Sequence, residues 1–226
     1  MISSTPRLVV CAECVSGEPA AAAYDAIADQ YDQTMEGDDW VRLLLWRRFA
    51  QLFSPGQHIL DVSCGTGTDA LYLASRGIRV TGVDISTGMV ARLRDRVAAA
   101  GLTTMIDARV MDMTDLVSWP DTHYDAIIST FAGLNTVTDL ARFAPQARRL
   151  LKPGGVLLVH MLNRFSLWEW LGLVSRGQML PARRLASRST RTFVIGGQSV
   201  SHRLYAPSEA IQTFVNHGFA LLRVYG

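Results

Sequence analysis

Lysine is almost missing from this sequence: Lys152 is the only one among 22 basic residues, and arginine supplies the rest. The 20 acidic residues nearly balance them and leave a formal charge of +2. So close a balance gives no global basic field, and nucleic acid is not an expected partner. Cysteine is scarce too: three in 226 residues make no disulfide framework. Cys11 and Cys14 form one CxxC without a second pair at zinc spacing or a thioredoxin-like context, so the pair reads as incidental. No apolar run reaches the length of a membrane span, although 49% of residues are hydrophobic. The first 15 residues hold one arginine and a short apolar run, Leu8 to Val10, too weak for a secretory signal. A cytoplasmic protein without membrane insertion is expected, and no metal-ligand cluster stands out. The oligomeric state stays open.

What is present is a rhythm. Residues 1–20 lack periodicity and read as a tail. Residues 21–35 suit a helix, and 40–53 suit a stronger one that Ser54-Pro55-Gly56 ends. Short apolar runs at 58–62, 79–83, 105–111, 124–129 and 156–161 read as buried strands. Between them, 68–76, 87–100 and 140–151 read as helices. Strands alternating with helices of this length imply right-handed crossovers and a mostly parallel, doubly wound α/β sheet in one domain, residues 21–226. Past the fifth run the rhythm changes. Residues 164–191 carry Trp168, Trp170 and several arginines against the single acid Glu169, and read as an acceptor-side insertion or lid for a partly apolar, anionic molecule. An ordinary amphipathic helix is the alternative. Strands at 192–195 and 200–205, a helix at 208–217 and a strand at 219–225 close the chain.

The turn Asp61-Val62-Ser63-Cys64-Gly65-Thr66-Gly67 follows the first of those runs. Its glycines let a ligand approach the backbone, and the helix behind offers N–H groups. Gly65, Gly67 and Ala70 match dinucleotide spacing, but Asp61 would repel a pyrophosphate and suits an ammonium group instead. Asp84 ends the next strand, where a carboxylate can accept from two ribose hydroxyls. Asp112 follows the third. Three acids at the ends of three successive strands lie where open α/β sheets bind ligands.

With these residues in view, 24–163 resembles the class I S-adenosylmethionine-dependent methyltransferases, in the small-molecule branch of ubiquinone and menaquinone C-methyltransferases. The glycine turn resembles that family's first motif, Val83-Asp84-Ile85-Ser86 with Met89 its second, and Met111-Asp112-Met113 its third. Leu151-Lys152-Pro153-Gly154-Gly155 resembles the turn before the fifth strand, and Tyr24 to Asp32 the N-terminal motif. The resemblance implies S-adenosylmethionine as cofactor, S-adenosylhomocysteine as product and a small-molecule acceptor. It places Asp61, Ser63 and the Gly65-Thr66-Gly67 backbone at the methionine end, with Tyr31 closing over it. Asp84 would take the ribose, Ile85 and Met89 the adenine ring, and Asp112 the adenine amino group beside Met113. Thr130 and Phe131 would line the sulfonium side. His160, Asn163 and Arg164 are candidates for acid–base or acceptor contacts, with a core histidine and loop capping as the alternatives. The family's sheet order, 3-2-1-4-5-7-6, implies a last strand that is missing here unless 200–205 pairs in its place. That gap keeps a cofactor-binding scaffold without turnover in view, beside a nicotinamide oxidoreductase that Asp61 argues against.

Overall fold

Isoleucine, leucine and valine dominate the short runs because both faces of each strand are covered. The computed structural model of the chain describes residues 7–12, 20–120, 123–137, 139–164, 175 and 190–225. In chain order they form β1 (Arg7–Ala12), α1 (Ala20–Asp25), α2 (Tyr31–Thr34), α3 (Asp39–Leu52), β2 (His58–Val62), α4 (Thr68–Ser75), β3 (Arg79–Asp84) and α5 (Thr87–Ala99). There follow β4 (Ile106–Val110), β5 (Tyr124–Ser129), α6 (Leu140–Leu150), β6 (Leu151–Met161), β7 (Thr190–Ile195), β8 (Gln198–Arg203), α7 (Pro207–Asn216) and β9 (Ala220–Tyr225). Alternate strand residues feed two cores. Leu60, Val83, Ile127, Leu157 and Val159 pack toward α6 and α7. Ile59, Val80, Ile128 and Leu158 pack toward α3, α4 and α5. This two-sided burial is what a parallel sheet demands.

The sheet runs β4-β3-β2-β5-β6-β1-β9, with every pairing parallel. Its first five strands are the expected α/β core. The remainder corrects two expectations. Residues 7–12 are not tail: they pair along β6 from Arg7 opposite Val156 to Ala12 opposite Met161, and along β9 on the other side. The place expected to be empty is therefore filled from the N-terminal side of the chain, by a parallel strand. The physical reason is the open edge of β6, whose unpaired N–H and C=O groups accept any strand of matching length. Leu8-Val9-Val10, dismissed above as a weak signal sequence, has the β-branched composition for it. Nor does 200–205 enter this sheet, because β8 pairs antiparallel with β7 across Gly196-Gly197 as a separate hairpin. Asn135 anchors that hairpin: its amide donates to Arg203 O at 2.7 Å and accepts from Leu162 N at 2.7 Å. Lys152-Pro153-Gly154-Gly155 lies within β6 rather than ahead of it. Cys14 and most of the expected insertion, 165–174 and 176–189, lie outside the described residues. No helix among the described residues is long and apolar enough to cross a membrane.

Candidate functional site

The carboxyl ends of β2, β3, β4 and β5 open onto one cavity of about 350 Å³. The glycine turn forms its floor. Ser63 N and Cys64 N both donate to Val83 O, which folds the turn over the end of β3. The turn needs left-handed backbone at Ser63 (φ +78°), Gly65 (φ +52°) and Gly67 (φ +83°). Gly65 and Thr66 line the cavity, whereas Gly67 does not. A Cβ at Gly67 would sit 2.0 Å from Leu93 Cδ1, so the close packing of α5 requires glycine here.

The N-terminal helices close the cavity from above through two aspartates. Asp25 accepts from Ser86 Oγ at 2.5 Å and Gly88 N at 2.7 Å, capping α5. Asp32 accepts from Thr66 Oγ1 at 2.6 Å and pairs with Arg96 at 2.8 Å. Between them Tyr31 is set over Gly65, and Tyr24 meets its ring edge-on with centroids 6.2 Å apart. Burial, with Tyr24 nearby, pushes the Tyr31 phenol far up, so it stays neutral.

Asp84 is aimed by Gly65 N at 2.8 Å and Ser86 N at 3.0 Å. Desolvation raises its carboxyl above the usual range despite those donors. Ile85, Met89, Met111 and Met113 give the adjoining wall apolar and polarisable surface. Asp112 caps the turn that follows, accepting from Thr114 N at 2.7 Å and Thr114 Oγ1 at 2.8 Å, while still lining the cavity. Thr130 and Phe131 form the opposite wall with Gly133, Thr136 and Val137. Phe131 (φ +47°) and Ala132 (φ +65°) are successive left-handed residues, a costly arrangement for side chains with a Cβ.

Asp61 lies one layer back. It is 1% exposed, does not line the cavity, and neither carboxylate oxygen has a hydrogen-bond partner among the described residues. Desolvation lifts its carboxyl well above the usual range; Asp69 and Asp84 add to the lift and Arg42 opposes it. A direct ligand contact therefore needs a small shift or one bridging water. The buried, unpaired carboxylate is the fit test for the cofactor. An ammonium group satisfies it, and a pyrophosphate would worsen it.

The three candidates for acid–base work lie elsewhere. His160 is 4% exposed and outside the cavity wall. Its Nδ1 accepts from Phe131 N at 3.1 Å and its carbonyl accepts from Ala132 N at 3.0 Å, so it braces the strained turn. Asn163 bridges to Tyr205, and Arg164 N donates to Tyr205 O at 3.0 Å. Among the lining residues that escaped the sequence reading are two charged ones, Arg42 and Asp69. Arg42 on α3 pairs with Asp69 on α4 at 2.9 Å and lies 4.2 Å over the Phe131 ring. Arg42 sits inside a run scored for its apolar spacing, and Asp69 reads as an ordinary first-turn acid. The only available signal was a buried-face charge on each of two neighbouring helices.

Comparison with known proteins agrees with this geometry. A family profile described as a methyltransferase domain matches residues 59–155. A demethylmenaquinone methyltransferase of Symbiobacterium thermophilum is 39% identical over 58% of this chain and 54% of its own length. A ubiquinone/menaquinone biosynthesis C-methyltransferase of Geotalea daltonii is 34% identical over 69% of this chain and 68% of its own. The chain thus spans about half to two thirds of these relatives' lengths. The CcbJ methyltransferase of Streptomyces caelestis shares the fold at 22% identity, with a TM-score of 0.66 over 88% of this chain and 87% of that one. With its sheet order, glycine turn and strand-end acids, the chain belongs to the S-adenosylmethionine-dependent methyltransferase family.

Proposed function

We propose that this chain transfers the sulfonium methyl of S-adenosylmethionine to a ring carbon or oxygen of a small quinol-like acceptor. The buried, unpaired carboxylate of Asp61 behind the glycine turn carries the cofactor half of this reading. With Asp69 and Asp84 nearby it makes an electronegative pocket that fits an ammonium and a sulfonium. The relatives' names support the acceptor half, as does the apolar surface of Phe131 and Val137 on the wall beyond β5.

S-adenosylmethionine, when bound, supplies a methyl group already activated by its positive sulfur. The protein's part is to hold and align. Asp84, aimed by two backbone N–H groups, accepts from the ribose hydroxyls. Asp112 receives the adenine amino group, with Ile85, Met89 and Met113 against the ring. Arg42 holds the methionine carboxylate, and Tyr31 covers that end and excludes water. Thr130 and Phe131 face the sulfonium. The filled place beside β6 removes the ground on which a scaffold without turnover was considered.

Titration with S-adenosylhomocysteine and turnover with labelled S-adenosylmethionine and reduced quinones test the two halves separately. Micromolar binding and a methylated quinol are expected. NADH binding in preference to S-adenosylhomocysteine would sink the first half, and methylation confined to non-aromatic acceptors the second.

A further inference from the structure

Asp69 stands in the first turn of α4 and is 3% exposed. Its carboxylate joins three separate pieces of the site. Oδ1 accepts from Arg42 Nη1 at 2.9 Å and from Trp46 Nε1 at 2.8 Å, both on α3. Oδ2 accepts from Thr130 Oγ1 at 2.8 Å, just past the end of β5. Asp69, Arg42 and Thr130 all line the cavity.

A hydroxyl has one proton to give. The proton of Thr130 is committed to Asp69, so its oxygen offers the cavity only lone pairs. Thr130 is 6% exposed and lines the cavity, and its oxygen is held as an acceptor by a carboxylate that cannot itself donate while ionised. A positive sulfur and the polarised C–H groups beside it are favoured by such an oxygen, whereas a neutral thioether gains much less. The same carboxylate also offsets the positive charge of Arg42, which lies over the neighbouring Phe131 ring. Both effects have one sign.

We propose that Asp69 is a positioning residue that fixes Thr130 as an acceptor and shields the transfer side from Arg42, raising affinity for the sulfonium cofactor relative to its neutral thioether product. This rests on the cofactor reading above. The consequence for turnover is directional: the charge lost from sulfur on methyl transfer removes the interaction, so product is held less firmly than cofactor would otherwise dictate.

The experiment is calorimetric titration of the wild type, Asp69→Asn, Thr130→Val and Thr130→Ser with S-adenosylmethionine and with S-adenosylhomocysteine. In Asp69→Asn the amide can donate to Thr130, which turns the hydroxyl around, and Arg42 loses its counter-charge. Affinity for S-adenosylmethionine is expected to fall about tenfold, and the sulfonium-to-thioether affinity ratio to fall about fivefold. Thr130→Val is expected to lower the ratio about threefold, while Thr130→Ser keeps it. A purely structural role would weaken both ligands equally. Ratios unchanged in both Asp69→Asn and Thr130→Val overturn the proposal. Should Asp69→Asn fail to fold, the valine and serine variants decide alone, and equal ratios in those two overturn it. A wild type that binds neither ligand overturns the cofactor reading instead, a result distinct from normal binding with unchanged preference.

Discussion

At Asp61 a carboxylate is buried without a partner, and such a group costs stability in the absence of a cation. Asp61→Asn should therefore stabilise the ligand-free protein while weakening cofactor binding by about 2 kcal/mol, roughly 30-fold. Thermal unfolding and S-adenosylhomocysteine titration read the two effects; an affinity within about threefold of wild type would remove Asp61 from the site. Ser63 stores a different strain. It holds φ +78° with a Cβ, beside Ser129 Oγ at 3.1 Å and against Gly133. Ser63→Gly should gain about 0.5–1 kcal/mol in urea unfolding, and a loss of stability would show that the Ser129 contact outweighs the strain. Much of the site was legible at this scale, because Asp84, Asp112 and the glycine turn are chemistry at strand ends, and strand ends follow from the apolar runs. Arg42 and Asp69 were not legible. Their meaning lies in a pairing across 27 positions that no local pattern records. His160 was legible as buried but not as the brace of a turn, since the left-handed backbone at Phe131 and Ala132 has no glycine to announce it.

Among the elements, the five-strand core and its helices follow from the alternation of apolar runs with helical periodicity. β1 does not, because its apolar stretch, Leu8 to Val10, is too brief to tell from a tail by periodicity, and its place is decided by the edge it meets. α1 and α2 are similar: their positions are set by Asp25 capping α5 and by Asp32 joining Thr66 and Arg96. Since, among the described residues, β9 pairs with the sheet only through β1, removing residues 1–13 should release it. The expected loss is on the order of 5 kcal/mol, from about ten ladder hydrogen bonds at roughly 0.5 kcal/mol each. Amide exchange should report it as lost protection in β9 with β2 and β3 still protected. Unchanged β9 protection in the shortened chain would mean that β1 is dispensable to the sheet.

For the whole molecule, two buried groups set opposite pH limits. His202 is fully buried, with neither ring nitrogen hydrogen-bonded among the described residues, and burial draws it down to about 3 from 6.5. Its folded pKa is depressed, so its contribution is complete above about pH 6.5 and is lost as pH falls toward about 3. His202→Phe should flatten the acid side of a stability profile measured by urea unfolding. Asp61 runs the other way. Its folded pKa is raised, so its contribution is present below the unfolded value and is lost as pH rises through the folded one. The ligand-free protein thus holds the ionised carboxylate poorly, and an ammonium-bearing ligand relieves that cost only when the carboxylate is ionised. Below the raised pKa, binding must first expel a proton, and affinity should fall by up to about tenfold per pH unit. Titrating S-adenosylhomocysteine across pH should show affinity declining toward the acid side, with the decline absent in Asp61→Asn. A slope that survives in Asp61→Asn would assign the proton to Asp84, the other cavity acid whose carboxyl is raised by desolvation.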